Sequence, residues 1–356
     1  MGSHLKIFLD FSDDAIKTAG SPSLLLSFEE SLRCHSRIFP GEKIFIACSG
    51  GPDSVALFRL LQSLQKKWRF KLGILHFNHQ LRKAADRDEH FVRKLATQAA
   101  VPIFIGSGKV SAQAAAEGQS IEEAGRKARY RFFVQAAKKH SIRKIAVGHT
   151  LNDQAETVLM RVLQGTGLHG LCAIRPEMKQ EGISFVRPLL GVSKKEILDF
   201  LRKNRIRFCE DESNRSPRFL RNRIRRELLP WIAREINPRI VETLARIPAI
   251  LQDESEFLTK LEQAAWKKVF KRRDPSKIHL NRSLFLKFPR ALQFRVLDYA
   301  LKQLDPRSGL SFDAWSGLRG KLARPSYCHS LPRDIDFSLT RSKLIIYKKF
   351  PVSPPI

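Results

Sequence analysis

Paired cysteines are missing from this 356-residue chain: Cys34, Cys48, Cys172, Cys209 and Cys328 are widely spaced and odd in number, with no Cys-x-x-Cys among them. That argues against a disulfide framework and against zinc or iron–sulfur ligation, and leaves reduced thiols. Long apolar runs are missing too, since no stretch reaches the roughly 20 residues of a membrane span and no basic segment leads into an apolar, cleavable one. A soluble, cytoplasmic protein with no membrane partner is expected. Acidic residues are scarce, 35 against 64 Lys and Arg, which gives a net charge of +29. A small-molecule enzyme does not need such a field. A polyanion is the natural partner, and without a lipidation signal or a long basic amphipathic helix, nucleic acid is favoured over a membrane surface.

What is present begins at Ser49-Gly50-Gly51-Pro52-Asp53-Ser54, which follows the apolar run Ile44 to Cys48 and precedes the helical pattern Val55, Leu57, Phe58, Leu60, Leu61, Leu64. A strand, a glycine turn and a helix start in that order let backbone N–H groups and the positive end of a helix meet an anion. Ser49, Asp53 and Ser54 add hydroxyls for phosphate oxygens and a carboxylate for Mg²⁺. The loop reads as a phosphate cradle to which all six residues belong. It is not of the Walker type, because no Gly-Lys-Ser/Thr follows the second glycine.

Further strands are expected at Leu72 to Phe77, Pro102 to Ile105 and Lys144 to Val147, with amphipathic helices between them. This alternation predicts an α/β fold with a doubly wound parallel sheet. Ligands of such sheets bind beyond the carboxyl ends of the strands, so Ser49, His76 and His149 should converge. After Asn237-Pro238 the alternation stops. Helical stretches at Ile240 to Val269 and Leu292 to Leu304 and a β-like tail from Ile335 to Ile346 predict a mainly helical α+β accessory domain, linked near Pro230 to Pro238. The expected division is 1–39 as an N-terminal extension, 40–232 as the catalytic domain and 233–356 as the accessory domain.

His149-Thr150-Leu151-Asn152-Asp153-Gln154-Ala155-Glu156 follows a strand and opens a helix. Asp153 and Glu156, three apart, share a face and could hold an amine or a metal; Asn152 or Asp153 could cap. His76 and His79 lack companion ligands for zinc, which leaves a nucleotide or structural contact. Arg126 and Arg129, three apart, could meet a triphosphate together. Gly165-x-Gly167-x-x-Gly170 has the dinucleotide spacing but follows a helix, so it reads as a helix stop and loop. Arg215, Arg218, Arg221, Arg223, Arg225 and Arg226, with Phe219 and Asn222 interleaved, suit RNA phosphates and unstacked bases.

The Ser-Gly-Gly-x-Asp-Ser loop resembles that of the PP-loop ATP pyrophosphatases. Together with His76 to Arg82, Glu123 to Tyr130, His149 to Thr157, Arg161 to Leu171, Arg187-Pro188-Leu189, Glu210 to Asn214 and Arg221 to Arg225, in that order, it resembles the tRNA(Ile)-lysidine synthetases. The resemblance implies that ATP adenylylates the C2 carbonyl of the wobble cytidine of tRNA(Ile) bearing CAU, pyrophosphate leaves, and L-lysine displaces AMP to give lysidine. It further implies that Asp53 organises Mg²⁺ through the phosphates, that His149, Asp153 and Glu156 hold or steer lysine, and that Arg129 and Arg221 stabilise phosphate charge. Ser49, Gly50, Gly51, Pro52, Asp53 and Ser54, with His76 and Arg126, would bind ATP; Arg215, Arg218, Arg223, Arg225 and Arg226 would bind tRNA. Asn152 stands where many members carry an aspartate, and the C-terminal region resembles the first accessory domain, without the further domain of the longest members. A homodimer is left open. Rival readings are a tRNA-thiolating PP-loop enzyme, which usually depends on paired cysteines; a GMP, NAD or argininosuccinate synthetase, which would not need the basic surface; and an RNA-binding module with a vestigial ATP site.

Overall fold

The computed structural model describes residues 24–34, 36, 38–80, 84–108, 110–118, 120–209, 220–331 and 333–349. Arg82, Glu210 to Asn214, Arg215, Arg218 and Phe219 lie outside the described residues. The chain forms two compact units, residues 1–250 and 251–356.

The first unit is built on a six-stranded sheet of β1 (Lys43–Ala47), β2 (Lys71–Asn78), β3 (Ile103–Ser107), β4 (Lys144–Val147), β5 (Glu177–Gln180) and β6 (Ile183–Val186), in the order β3-β2-β1-β4-β6-β5. All pairings are parallel except the β5–β6 hairpin. The expected parallel sheet therefore carries one antiparallel edge strand. Glu181 at φ 48° and Gly182 at φ 83° make the two-residue turn that closes this hairpin.

Alternation along β1 makes the sheet two-sided. Ile44 and Ile46 enter a core with Val55, Phe58 and Leu61 of α2 (Pro52–Trp68) and Ile197 and Leu201 of α8 (Lys194–Lys203). Phe45 enters the other core, with Tyr130, Phe133 and Ala137 of α5 (Ile121–Lys139). Phe28 and Leu32 of α1 (Leu24–Cys34) join the first core, so this helix, ahead of position 40, packs as part of the unit. Strand order reverses direction between β1 and β4, which opens a crevice at their carboxyl ends.

The Leu229-Pro230 step does not interrupt the helical path as expected. α9 (Leu220–Arg223) passes through a π-helical turn (Ile224–Leu228) into α10 (Leu229–Glu235), with Pro230 in its first turn. Proline has no N–H to donate backward and its ring crowds the preceding turn, and a wider turn just before it removes both conflicts.

The boundary between the units falls within α11 (Ile240–Val269). The second unit holds a five-stranded antiparallel sheet in the order β7-β8-β11-β10-β9, formed by Phe270–Asp274, Lys277–Asn281, Lys343–Lys348, Ile335–Leu339 and Tyr327–Leu331 respectively. Ile335, Phe337 and Leu339 face a core with Val296, Leu297 and Leu301 of the helix Arg290–Leu304. Sheet is thus more extensive here than the sequence suggested.

Candidate functional site

The cradle forms as the residue types require. Gly50 holds φ at +91°, where a side chain would be strained, and Gly51 caps α2 without a side-chain hydrogen bond, so the first-turn N–H groups stay available to an anion. Ser54 sits deeper than expected: its hydroxyl donates to the Gly51 carbonyl at 3.0 Å and accepts the Ser49 N–H at 3.2 Å, so it braces the loop. Gly148, beyond β4, lets the end of that strand approach the first turn of α2, since a Cβ there would lie 3.1 Å from the Asp53 carbonyl carbon. Burial pushes the Asp53 carboxyl up, against the pull of Lys194, whose Nζ lies 2.5 Å from its Oδ1.

Lys194 was not foreseen. It is the first residue of α8, and Ser193 and Glu196 make the capping box that starts this helix. The Ser-x-x-Glu pattern marks such a start in sequence and could have placed this lysine at a helix N-terminus. Asn152 accepts the Lys194 backbone N–H at 2.8 Å, so the position without the aspartate's charge still fastens α6 (Leu151–Leu163) to α8.

The cap of α6 is Thr150 rather than Asn152 or Asp153. Asp153 completes the box by accepting the Thr150 N–H at 2.9 Å, which leaves its other oxygen for Arg221 at 2.8 Å and Arg225 at 3.3 Å. Glu156, 1% exposed, takes Arg221 Nε at 2.9 Å and Arg225 Nε at 2.5 Å. The two carboxylates expected to hold lysine therefore already hold two guanidiniums. Arg221, expected on phosphate, and Arg225, expected on tRNA, lie instead on this acidic pair. Burial raises the Asp153 carboxyl, but Arg221, the Thr150 N–H and Arg225 outweigh it and hold the group below the usual carboxylate range.

One cavity of about 840 Å³ is lined among others by Ser49, Asp53, His76, Arg129, His149, Lys194, Arg225 and Arg226, and Arg225 links it to the Asp153–Glu156 pair. His76 is buried, with Nδ1 2.8 Å from the Cys48 carbonyl. Arg129 lines the cavity, whereas exposed Arg126 stacks over Tyr130 at 5.3 Å and does not line it, so the two do not face the cavity together. Arg223 is exposed, 4.0 Å from Glu227. No disulfide joins the five cysteines. Burial and neighbouring Asp88 push the Cys209 thiol beside the loop up to about 12, and burial also raises Cys48, so neither is poised as a thiolate. Among the described residues no cluster of three or more His, Cys, Asp or Glu could hold a metal by itself, and no helix is long and apolar enough to cross a membrane.

A family model of the PP-loop domain matches residues 25–232. The chain belongs to the PP-loop family. Among its relatives, a tRNA(Ile)-lysidine synthase of Geobacter sulfurreducens is 42% identical over 232 residues, 65% of this chain and 48% of that protein. One of Symbiobacterium thermophilum is 34% identical over 276 residues, 76% of this chain and 57% of that protein. The PP-loop chain thus spans about half the length of the relatives it matches. A solved structure titled as the U34-tRNA thiolase NcsA of Methanococcus maripaludis with its [4Fe-4S] cluster superposes with a TM-score of 0.55 at 14% identity, over 64% of this chain and 79% of that one. That likeness shows the shared fold.

Proposed function

We propose that this PP-loop chain uses ATP to join L-lysine to C2 of the wobble cytidine in a tRNA(Ile) with a CAU anticodon. The observation that carries this reading is that the phosphate cradle and Arg225, which is paired with Asp153 and Glu156, line one cavity. Adenylate formation and amine transfer need those two chemistries side by side.

In the first step the cytidine O2 attacks the α-phosphorus of ATP, the bond to the bridging oxygen breaks, and pyrophosphate leaves. The Ser49 to Ser54 loop grips the β,γ-phosphates, with Lys194 and Arg129 adding positive charge. Asp53 is the carboxylate that fits Mg²⁺, as a single protein ligand to an ion carried largely by the phosphates, where the ion would offset developing charge. In the second step the unprotonated ε-amine of lysine attacks C2, the C2–O bond breaks, AMP leaves, and a proton is released. The lysine ammonium first exchanges for a guanidinium on Asp153 and Glu156 and gives up one proton to water before the attack, and the displaced Arg225 turns to the AMP phosphate. The surplus positive charge serves the tRNA, and a cytoplasmic setting follows from that substrate.

The test is to incubate the chain with ATP, Mg²⁺, labelled lysine and a tRNA(Ile) transcript bearing CAU, and to analyse its nucleosides by mass spectrometry. A lysine–cytidine adduct that needs every component is expected. Pyrophosphate release with another tRNA and no such adduct would overturn the reading in favour of a different adenylylation-dependent modification.

A further inference from the structure

Arg187 lies just beyond β6 and is 4% exposed. Its Nε donates to Nδ1 of His149 at 3.2 Å, one Nη donates to the Arg175 carbonyl at 2.7 Å, and it also hydrogen-bonds Tyr130. All three partners are neutral acceptors. A guanidinium does not give up its proton in proteins, so Nδ1 must offer a lone pair in this contact. A neutral imidazole has one lone pair and one N–H. The proton is therefore on Nε2, and His149, which lines the cavity, has a donor and no acceptor left to present there.

The surroundings keep it that way. Burial drives the ring's protonation down to about 3, and Arg187, Arg221 and Arg126 add to this against the opposing pull of Asp153. A buried cation held by neutral groups is costly unless its charge serves a purpose, and here it forbids the imidazolium.

We propose that Arg187 is a positioning residue that locks His149 as a neutral Nε2–H donor, and that His149 uses this hydrogen to bind an oxygen of the activated base or its phosphate, not the lysine amine. An ammonium needs an acceptor, and amine deprotonation needs a lone pair; this ring offers neither. The role assigned to His149 in amine steering passes to Asp153 and Glu156. The proposal rests on the lysidine reading for the identity of the oxygen, while the tautomer stands on geometry alone.

Long-range ¹H–¹⁵N spectra of the full chain with labelled histidine, with His149 assigned by its loss in His149→Gln, test the lock directly. The expected result is an Nε2–H ring that stays neutral from pH 8 to 5. In Arg187→Met the ring should leave the single tautomer or titrate near the ordinary histidine range, and Arg187→Lys should restore much of the locked signature. A wild-type ring protonated on Nδ1, or one titrating near pH 6.5, overturns the lock. Kinetically, His149→Ala should lower kcat for adduct formation at least tenfold and leave the KM for lysine within about twofold. A tenfold rise in that KM with kcat spared would overturn the assigned role. A locked tautomer in a chain that makes no lysine adduct would support the clamp and remove the lysidine reading instead.

Discussion

Asp53 is the residue on which the cradle's chemistry converges: it stands at the start of α2, meets Lys194 and borders Gly148. Asp53→Ala is expected to abolish tRNA-dependent pyrophosphate release while tRNA binding stays within a few-fold, as measured by filter binding; unchanged release would remove its assigned role. His149 makes a second prediction, on stability. Its ring is held to about 3 in the folded chain, whereas an unfolded histidine titrates near 6.5. The unfolded state therefore binds the proton first, and the neutral ring's contribution to stability, complete above about pH 6.5, is lost as pH falls toward 3. His149→Gln should flatten urea-derived stability between pH 7 and 4.5, with a difference on the order of a few kcal/mol. An identical pH profile for variant and wild type would mean that the ring takes up its proton in the fold as readily as in the unfolded chain.

At the scale of elements, the site is a matter of how helix starts are tied together. Asn152 on α6 accepts the first N–H of α8, and that bond sets where Lys194 meets Asp53. Asn152→Ala should cost about 1 kcal/mol, typical of a lost hydrogen bond, and weaken ATP binding measured by calorimetry, whereas Asn152→Asp retains an acceptor and should keep both. Equal binding by the alanine variant would show that Lys194 needs no such tie. Much of this unit was legible in sequence because its parallel strands are short apolar runs followed by glycine or histidine turns, so β1, β4 and the Ser49 to Ser54 loop stood out. The β5–β6 hairpin did not, as two four-residue strands around Glu181-Gly182 carry little periodicity. The pairing of Arg221 and Arg225 with Asp153 and Glu156 was hidden as well. Those residues are 65 to 72 positions apart, and spacing along a chain says nothing about which distant charges a tertiary fold brings together. Arg187 was visible only as part of a motif, since its work depends on a ring 38 residues away.

For the whole molecule, charge is the dominant quantity. Asp53 in the cavity is matched by Lys194, and Asp153 and Glu156 by two arginines, so this part of the site adds little net charge to the +29 of the chain. The surplus must therefore act outside that cluster, as a field for a polyanion much larger than a nucleotide. On the proposed function, association with tRNA is governed by release of condensed counterions, each neutralised phosphate contributing about −0.7 to −0.9 to the slope of log K against log salt concentration. Fluorescence anisotropy of labelled tRNA titrated from 50 to 300 mM KCl should give a slope steeper than about −4, while ATP binding to the same chain, which involves far fewer phosphates, should change far less. A tRNA slope shallower than about −2 would mean that few phosphates are contacted and that the excess of lysine and arginine serves something other than nucleic acid.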